Sequence, residues 1–171
     1  MTLLLRPLQA GDEPVFLAAH EVMAAEGFTF GLEYEPGMTW PAYLTMLEDH
    51  RRGVNLPDGW VPNTLLMADV AGTIVGRVSI RHVLNDALTR KGGHIGYAVL
   101  PPYRRRGYAT GILRQSLVIA RDLGVDRALV TCDDGNTGSV KTIERCGGKL
   151  ESVTGASEGL PATRRYWIEC G

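Results

Sequence analysis

The tract Arg104-Arg105-Arg106-Gly107-Tyr108-Ala109-Thr110 sets three consecutive guanidinium groups before a glycine at the head of an amphipathic segment. A helix start leaves its first amide N–H groups without carbonyl partners, and the helix dipole is positive at that end. Together these make an anion site, commonly for phosphate. Gly107 has no side chain to keep an anion off the main chain, and Ala109 is small for the same reason. The arginines add charge-assisted hydrogen bonds. The competing reading is a solvated basic surface beside a helix that merely begins at glycine.

Other reactive residue types give less. The four histidines, His20, His50, His82 and His94, show neither HExxH nor finger spacing, so no metal site is expected. Cys132, Cys146 and Cys170 are odd in number and lack a CxxC pair, which suits reduced thiols in a cytoplasmic chain. Cys132 has the chemistry of a covalent acyl carrier, but a lone strand cysteine usually serves as a small apolar filler. GxGxxG is absent. Residues 135–142 (GNTGSVKT) imitate a Walker A loop, yet Ser139 and Val140 separate Gly138 from Lys141.

The elements that must position the arginine turn follow from periodicity and punctuation. Residues 2–8 read as a strand ending near Pro7. Asp12 and Pro14 then open a helix with Val15, Phe16, Ala19, Val22 and Met23 on one face, closed by Gly27. Thr39 caps a second helix that turns Tyr43, Leu44 and Leu47 inward and stops at Gly53. Thr64–Val70 and Thr73–Val83 form a hairpin around Ala71-Gly72, and 84–92 read as a polar loop. Residues 93–99 are a strand that feeds the arginine turn. Gly107–Leu123 is an amphipathic helix, 125–132 a strand, 139–146 a short helix, and 148–153 and 163–169 are strands. The pattern predicts an α/β (α+β) fold with a mixed, mostly antiparallel central sheet of about seven strands and about four helices.

With 171 residues, 44% of them apolar, and no repeat or linker, the chain is expected to form one domain over 1–171. A net charge of −1 gives no general field for nucleic acid or an acidic membrane. No apolar stretch is long enough to span a bilayer. The leucines at 3–5 lack a basic preceding region, so a signal peptide is not expected.

Residues 94–113, HIGYAVLPPYRRRGYATGIL, resemble motif A of the GCN5-related N-acetyltransferases: Arg104, Gly107 and Ala109 match its Arg/Gln-x-x-Gly-x-Gly/Ala pattern. Residues 132–151, CDDGNTGSVKTIERCGGKLE, resemble motif B, with an Asn after the fifth strand, a short helix and a Gly-Gly entry to the sixth. The two occur in family order, separated by one helix and one strand. The segments GGHIGY, RRRGYAT, CDDGN and RRYWI also resemble a bacterial subgroup of predicted acetyltransferases.

The resemblance implies a splay between the fourth and fifth strands and acetyl-CoA as cosubstrate, with no metal. It implies that Arg104, Arg105, Arg106, Gly107, Tyr108, Ala109 and Thr110 hold the CoA diphosphate. Val99 and Leu100 would pair with the pantetheine amides as an added strand would, and Asn136 and Ser139 would touch the pantetheine arm or the adenosine side. Backbone N–H groups near Tyr97–Leu100 would stabilise the oxyanion. The family's thiol-protonating Tyr often stands seven residues after the motif B Asn, where this chain has Ile143. Tyr108, Tyr103, Tyr166 or water would then substitute, unless the thiolate leaves unaided.

Many members carry Glu at the start of the fourth strand; here His94 takes that place as candidate base, with His82 a weaker rival. The alternative for His94 is a strand histidine bonded to nearby backbone. The acceptor would be a small-molecule amine or a protein amine, handled by a monomer or homodimer. Glu21, Glu26, Glu33 and Glu35 suggest a cationic amine, against the alternative of a solvated face. A CoA-binding module with little catalysis is the other function to weigh.

Overall fold

The computed structural model describes residues 2–156 and 159–171. Strand β1 (Leu3–Arg6) leads through a 3-10 turn into α1 (Glu13–Ala24), and α2 (Trp40–Arg52) follows an aromatic-rich loop. The hairpin is β2 (Asn63–Val70) and β3 (Thr73–Arg81). Its turn residues Ala71 and Gly72 have φ of 52° and 83°, the doubly positive geometry whose twist suits a two-residue hairpin loop. After α3 (Asp86–Arg90) come β4 (Ile95–Val99), α4 (Tyr108–Asp122), β5 (Arg127–Asp133), α5 (Thr137–Arg145), β6 (Lys149–Thr154) and β7 (Thr163–Glu169).

The strands form two antiparallel sheets ordered β1-β2-β3-β4 and β5-β7-β6. They meet at an isolated bridge between Gly93 and Val130. This joint needs glycine. Gly93 has φ +63°, and a Cβ there would lie 2.3 Å from the Leu129 carbonyl oxygen. Beyond it β4 and β5 diverge, so the mixed central sheet read from the sequence resolves into two halves with a cleft between them.

Period-2 alternation assigns the hairpin side chains to two cores. Leu66, Ala68, Val78 and Ile80 pack with Ile112, Leu113 and Leu117 of α4. Leu65 and Met67 pack on the opposite face with Phe16 and Met23 of α1 and Tyr43 of α2. Arg6 stitches β1 to the second face through Asp69 at 2.8 Å and Asp12 at 2.7 Å.

Three local expectations are corrected. Residues 84–92 contain α3, started by the Asn85 side chain, which accepts from the Leu88 amide at 3.0 Å. Val15 and Val22 of α1 are exposed, because that helix buries only the narrow Phe16–Ala19–Met23 stripe. Asp12 precedes α1, but its carboxylate accepts from Arg6 and from the Gln9 amide instead of capping the helix. Among the described residues no helix is long and apolar enough to cross a membrane, and no group of His, Cys, Asp or Glu could hold a metal ion.

Candidate functional site

The diverging ends of β4 and β5 open onto a cavity of about 890 Å³, bounded by the starts of α4 and α5 and the C-terminal end of α1. It reaches both faces of β4: Tyr97 and Val99 line it from one side, and Ala98 lines it together with Met23 and Phe28 from the other.

On β4, backbone groups alternate between partners. Leu100 N–H donates to Val75 O at 2.9 Å and Arg81 N–H donates to His94 O at 2.7 Å, so the even-numbered residues face β3. The amides of Tyr97 and Val99 therefore point to the open edge. This corrects the expectation for Leu100, which is buried and outside the cavity wall, with its amide taken by β3.

The arginine turn is built for close approach of an anion. Arg105 and Gly107 both adopt left-handed backbone, at φ 64° and 83°. The first α4 bond runs from Gly111 N–H to Gly107 O, so the preceding amides of Tyr108, Ala109 and Thr110 have no helical carbonyl. All three residues line the cavity with Arg105 and Gly107. Arg106 turns away and lies over the Tyr103 ring, 5.9 Å from its centroid. Arg104 spans the cavity mouth: its Nε donates to Val99 O at 3.0 Å and both terminal nitrogens grip the Glu26 carboxylate. That contact lowers the pKa of Glu26.

Across the cleft, Asn136 caps α5 by accepting from Ser139 N–H at 3.1 Å, and both residues line the cavity. Ile143 faces the core and is fully buried, so this face of α5 offers no group to the cavity. Tyr97 lines the cavity from β4, and its hydroxyl is buried and completes no hydrogen bond among the described residues. Ser139 and Thr142 lie near enough to favour its ionised form slightly, but burial outweighs them and pushes the phenol up to about 12. The sequence reading used only the backbone here. The available signal was an aromatic in the strand leading to the arginine turn, which is more often core than site.

His94 is placed elsewhere. It lies at the joint between the sheets, and its Nδ1 accepts from the Leu129 amide at 2.9 Å while its own amide donates to Leu129 O at 2.7 Å. With Nδ1 accepting, the neutral ring carries its proton on Nε2, and neither nitrogen keeps a lone pair for a substrate proton. Burial first, then the Arg81 charge, lowers its pKa. His94 is absent from the cavity wall. The geometry is that of a histidine bonded to nearby backbone, which disfavours the base role expected from its position. His82 bonds Thr64 Oγ1 at 2.8 Å, and Tyr166 bonds Glu144. Of the four glutamates only Glu26 reaches the cavity.

A family model described as an acetyltransferase (GNAT) domain matches residues 2–149. No curated protein matches the chain. Among solved structures, RimJ of Mycobacterium smegmatis in complex with CoA-disulfide superposes with a TM-score of 0.70 at 20% identity, over 98% of this chain and 81% of that one. YncA of Salmonella typhimurium, solved with acetyl-CoA, gives 0.68 at 13% identity over 100% and 95%. The spermidine N-acetyltransferase of Vibrio cholerae, in complex with CoA and spermine, gives 0.66 at 16% identity over 98% and 95%. At these identities the likeness is one of fold.

Proposed function

The chain belongs to the GNAT acetyltransferase family, and on that premise we propose that it transfers an acetyl group from acetyl-CoA to a primary amine by direct attack in a ternary complex. The observation that carries this reading is the single cavity that joins the unpaired α4 amides, the open edge of β4 and the start of α5. The diphosphate lies on the amides of Tyr108–Thr110 with Arg105 beside it. The pantetheine arm runs along β4 with Val99 and Tyr97 as backbone partners, and reaches the Asn136–Ser139 start of α5. The folds of neighbours solved with CoA or acetyl-CoA support this placement.

The open-edge amide of Tyr97 is the donor for the developing oxyanion. The Tyr97 hydroxyl donates a hydrogen bond to the departing sulfur. Burial holds this phenol well above an ordinary thiol, which disfavours complete proton transfer to the thiolate. The hydroxyl therefore stabilises the thiolate and keeps its own proton. The amine proton leaves to water in the open cavity, and His94 serves as the joint between the sheets.

The test is to incubate the protein with acetyl-CoA and a panel of amines while following free thiol, with CoA affinity measured separately. Amine-dependent thiol release supports the transferase. Tight CoA binding without turnover on any amine replaces it with a CoA-binding module, the reading that the buried Ile143 would favour.

A further inference from the structure

Behind the α1 side of the cavity lies a buried charge with no counter-charge among the described residues. Arg77, on the β3 face turned toward α1 and α2, is 5% exposed and forms no ion pair among the described residues. Its terminal nitrogens donate to Gly96 O at 3.2 Å and Thr29 O at 2.8 Å, and its Nε has no partner. Two residues on the same face of β3 flank this environment. Ser79 Oγ is buried and also without a partner, and Arg81 Nη1 lies 3.2 Å from where a Gly96 Cβ would be. Burial first, then Arg81, draws Arg77 down to about 10, so it stays charged at neutral pH.

Arg77 touches the cavity wall twice. It pairs with Ala98 across the β3–β4 ladder, and its guanidinium sits 4.7 Å from the centroid of the Phe28 ring. Both neighbours line the cavity. Among the described residues the one carboxylate lining this side, Glu26, is held by Arg104. A buried charge is costly unless something pairs it, and the unpartnered Nε of Arg77 leaves part of that cost unmet behind the cavity wall.

We propose that the acceptor carries an anionic group, a carboxylate or a phosphate, beside its amine, and that Arg77 behind Phe28 is the charge that selects it. The proposal rests on the reading of the cavity as a transferase site. It opposes the cationic acceptor suggested by the glutamates of the N-terminal third: Glu21, Glu33 and Glu35 are exposed and outside the cavity wall.

The experiment compares 4-aminobutyrate and O-phosphoethanolamine with 4-aminobutanamide and 1,4-diaminobutane as acceptors, for the wild type, Arg77→Met and Arg77→Lys. A unit charge acting across one ring at intermediate dielectric gives an expected kcat/KM preference for the acids over the amide of about 10-fold. Arg77→Met keeps the apolar stem and removes the preference, lowering kcat/KM for the acids about 10-fold more than for the amide. Arg77→Lys keeps the preference although it loses the planar clamp on Thr29. Arg77→Met lowering acids and amide alike would make Arg77 a structural clamp and overturn the proposal, as would a wild type that favours the diamine or shows no preference. Calorimetric titration of the acids into protein holding CoA separates the two readings. Acid binding that depends on Arg77, without acetylation, retracts the transferase and keeps the charge site. Turnover without charge discrimination retracts the charge site alone.

Discussion

The two sides of β4 present the cavity with different material. On the α4 side the cavity wall is mostly main chain: left-handed Arg105 and Gly107, three helix-start amides and the open β4 edge. On the α1 side it is side chain: Met23, Phe28 and, against the Phe28 ring, Arg77, which has no ion pair among the described residues. Backbone donors suit one fixed ligand, because their geometry is set by a helix start and survives change in the surrounding side chains. Side chains from separate elements suit a variable ligand, since any one can change without disturbing the sheet. On the proposed reading, a fixed cosubstrate and a protein-specific acceptor share one cavity while depending on different parts of the chain.

The largest effect is expected where the main-chain side is broken. Gly107→Val forces a β-branched residue into left-handed backbone at φ 83°, a strain of roughly 1–3 kcal/mol, and puts methyl groups in the path of the diphosphate. CoA affinity should fall by at least about 100-fold, the loss of several charge-assisted bonds. Calorimetry with circular dichroism as a fold control checks this, and undiminished CoA binding would remove the diphosphate from this turn.

Tyr97→Phe should lower kcat by about 10- to 100-fold with little change in acetyl-CoA affinity, the range for one well-placed donor. Stability should hold or rise, because the lost hydroxyl has no partner. Unchanged kcat would return Tyr97 to the core.

His94→Ala leaves the Leu129 amide without its acceptor, at a cost of about 1–3 kcal/mol in chemical denaturation. Turnover should drop only modestly, and its disappearance in a well-folded variant would restore His94 as base. The sign of its titration gives a second check. The folded pKa lies below the ordinary 6.5, so the His94 contribution is fully present above that value and is lost as pH falls through the folded pKa. Wild-type stability should fall on acidification, and less steeply in His94→Ala.

The smallest effect belongs to the exposed Glu26–Arg104 pair. Glu26→Gln should leave stability nearly unchanged and, by freeing Arg104, tighten CoA binding by no more than about 3-fold. A weaker CoA complex would mean that Glu26 holds Arg104 in its useful position.

The sequence by itself determined the parts whose physics is local. The arginine turn, the α4 periodicity, the Asn136 cap and the Ala71-Gly72 hairpin each depend on neighbours within a few residues, so residue type and spacing suffice. It also supplied their order along the chain, and with it the family. Tertiary structure decided what depends on distant partners. Leu100 lost its expected role because strand alternation aims its amide at Val75. His94 lost its expected lone pair because β5 brings the Leu129 amide to its ring. Tyr97 gained a place in the cavity because the sheet splits after Gly93. Arg77 drew no attention in the sequence, because Phe28 and Thr29, which close over it, stand some fifty residues earlier in the chain. Burial and pairing are properties of the packed chain, and they separate a site residue from a surface one of the same type.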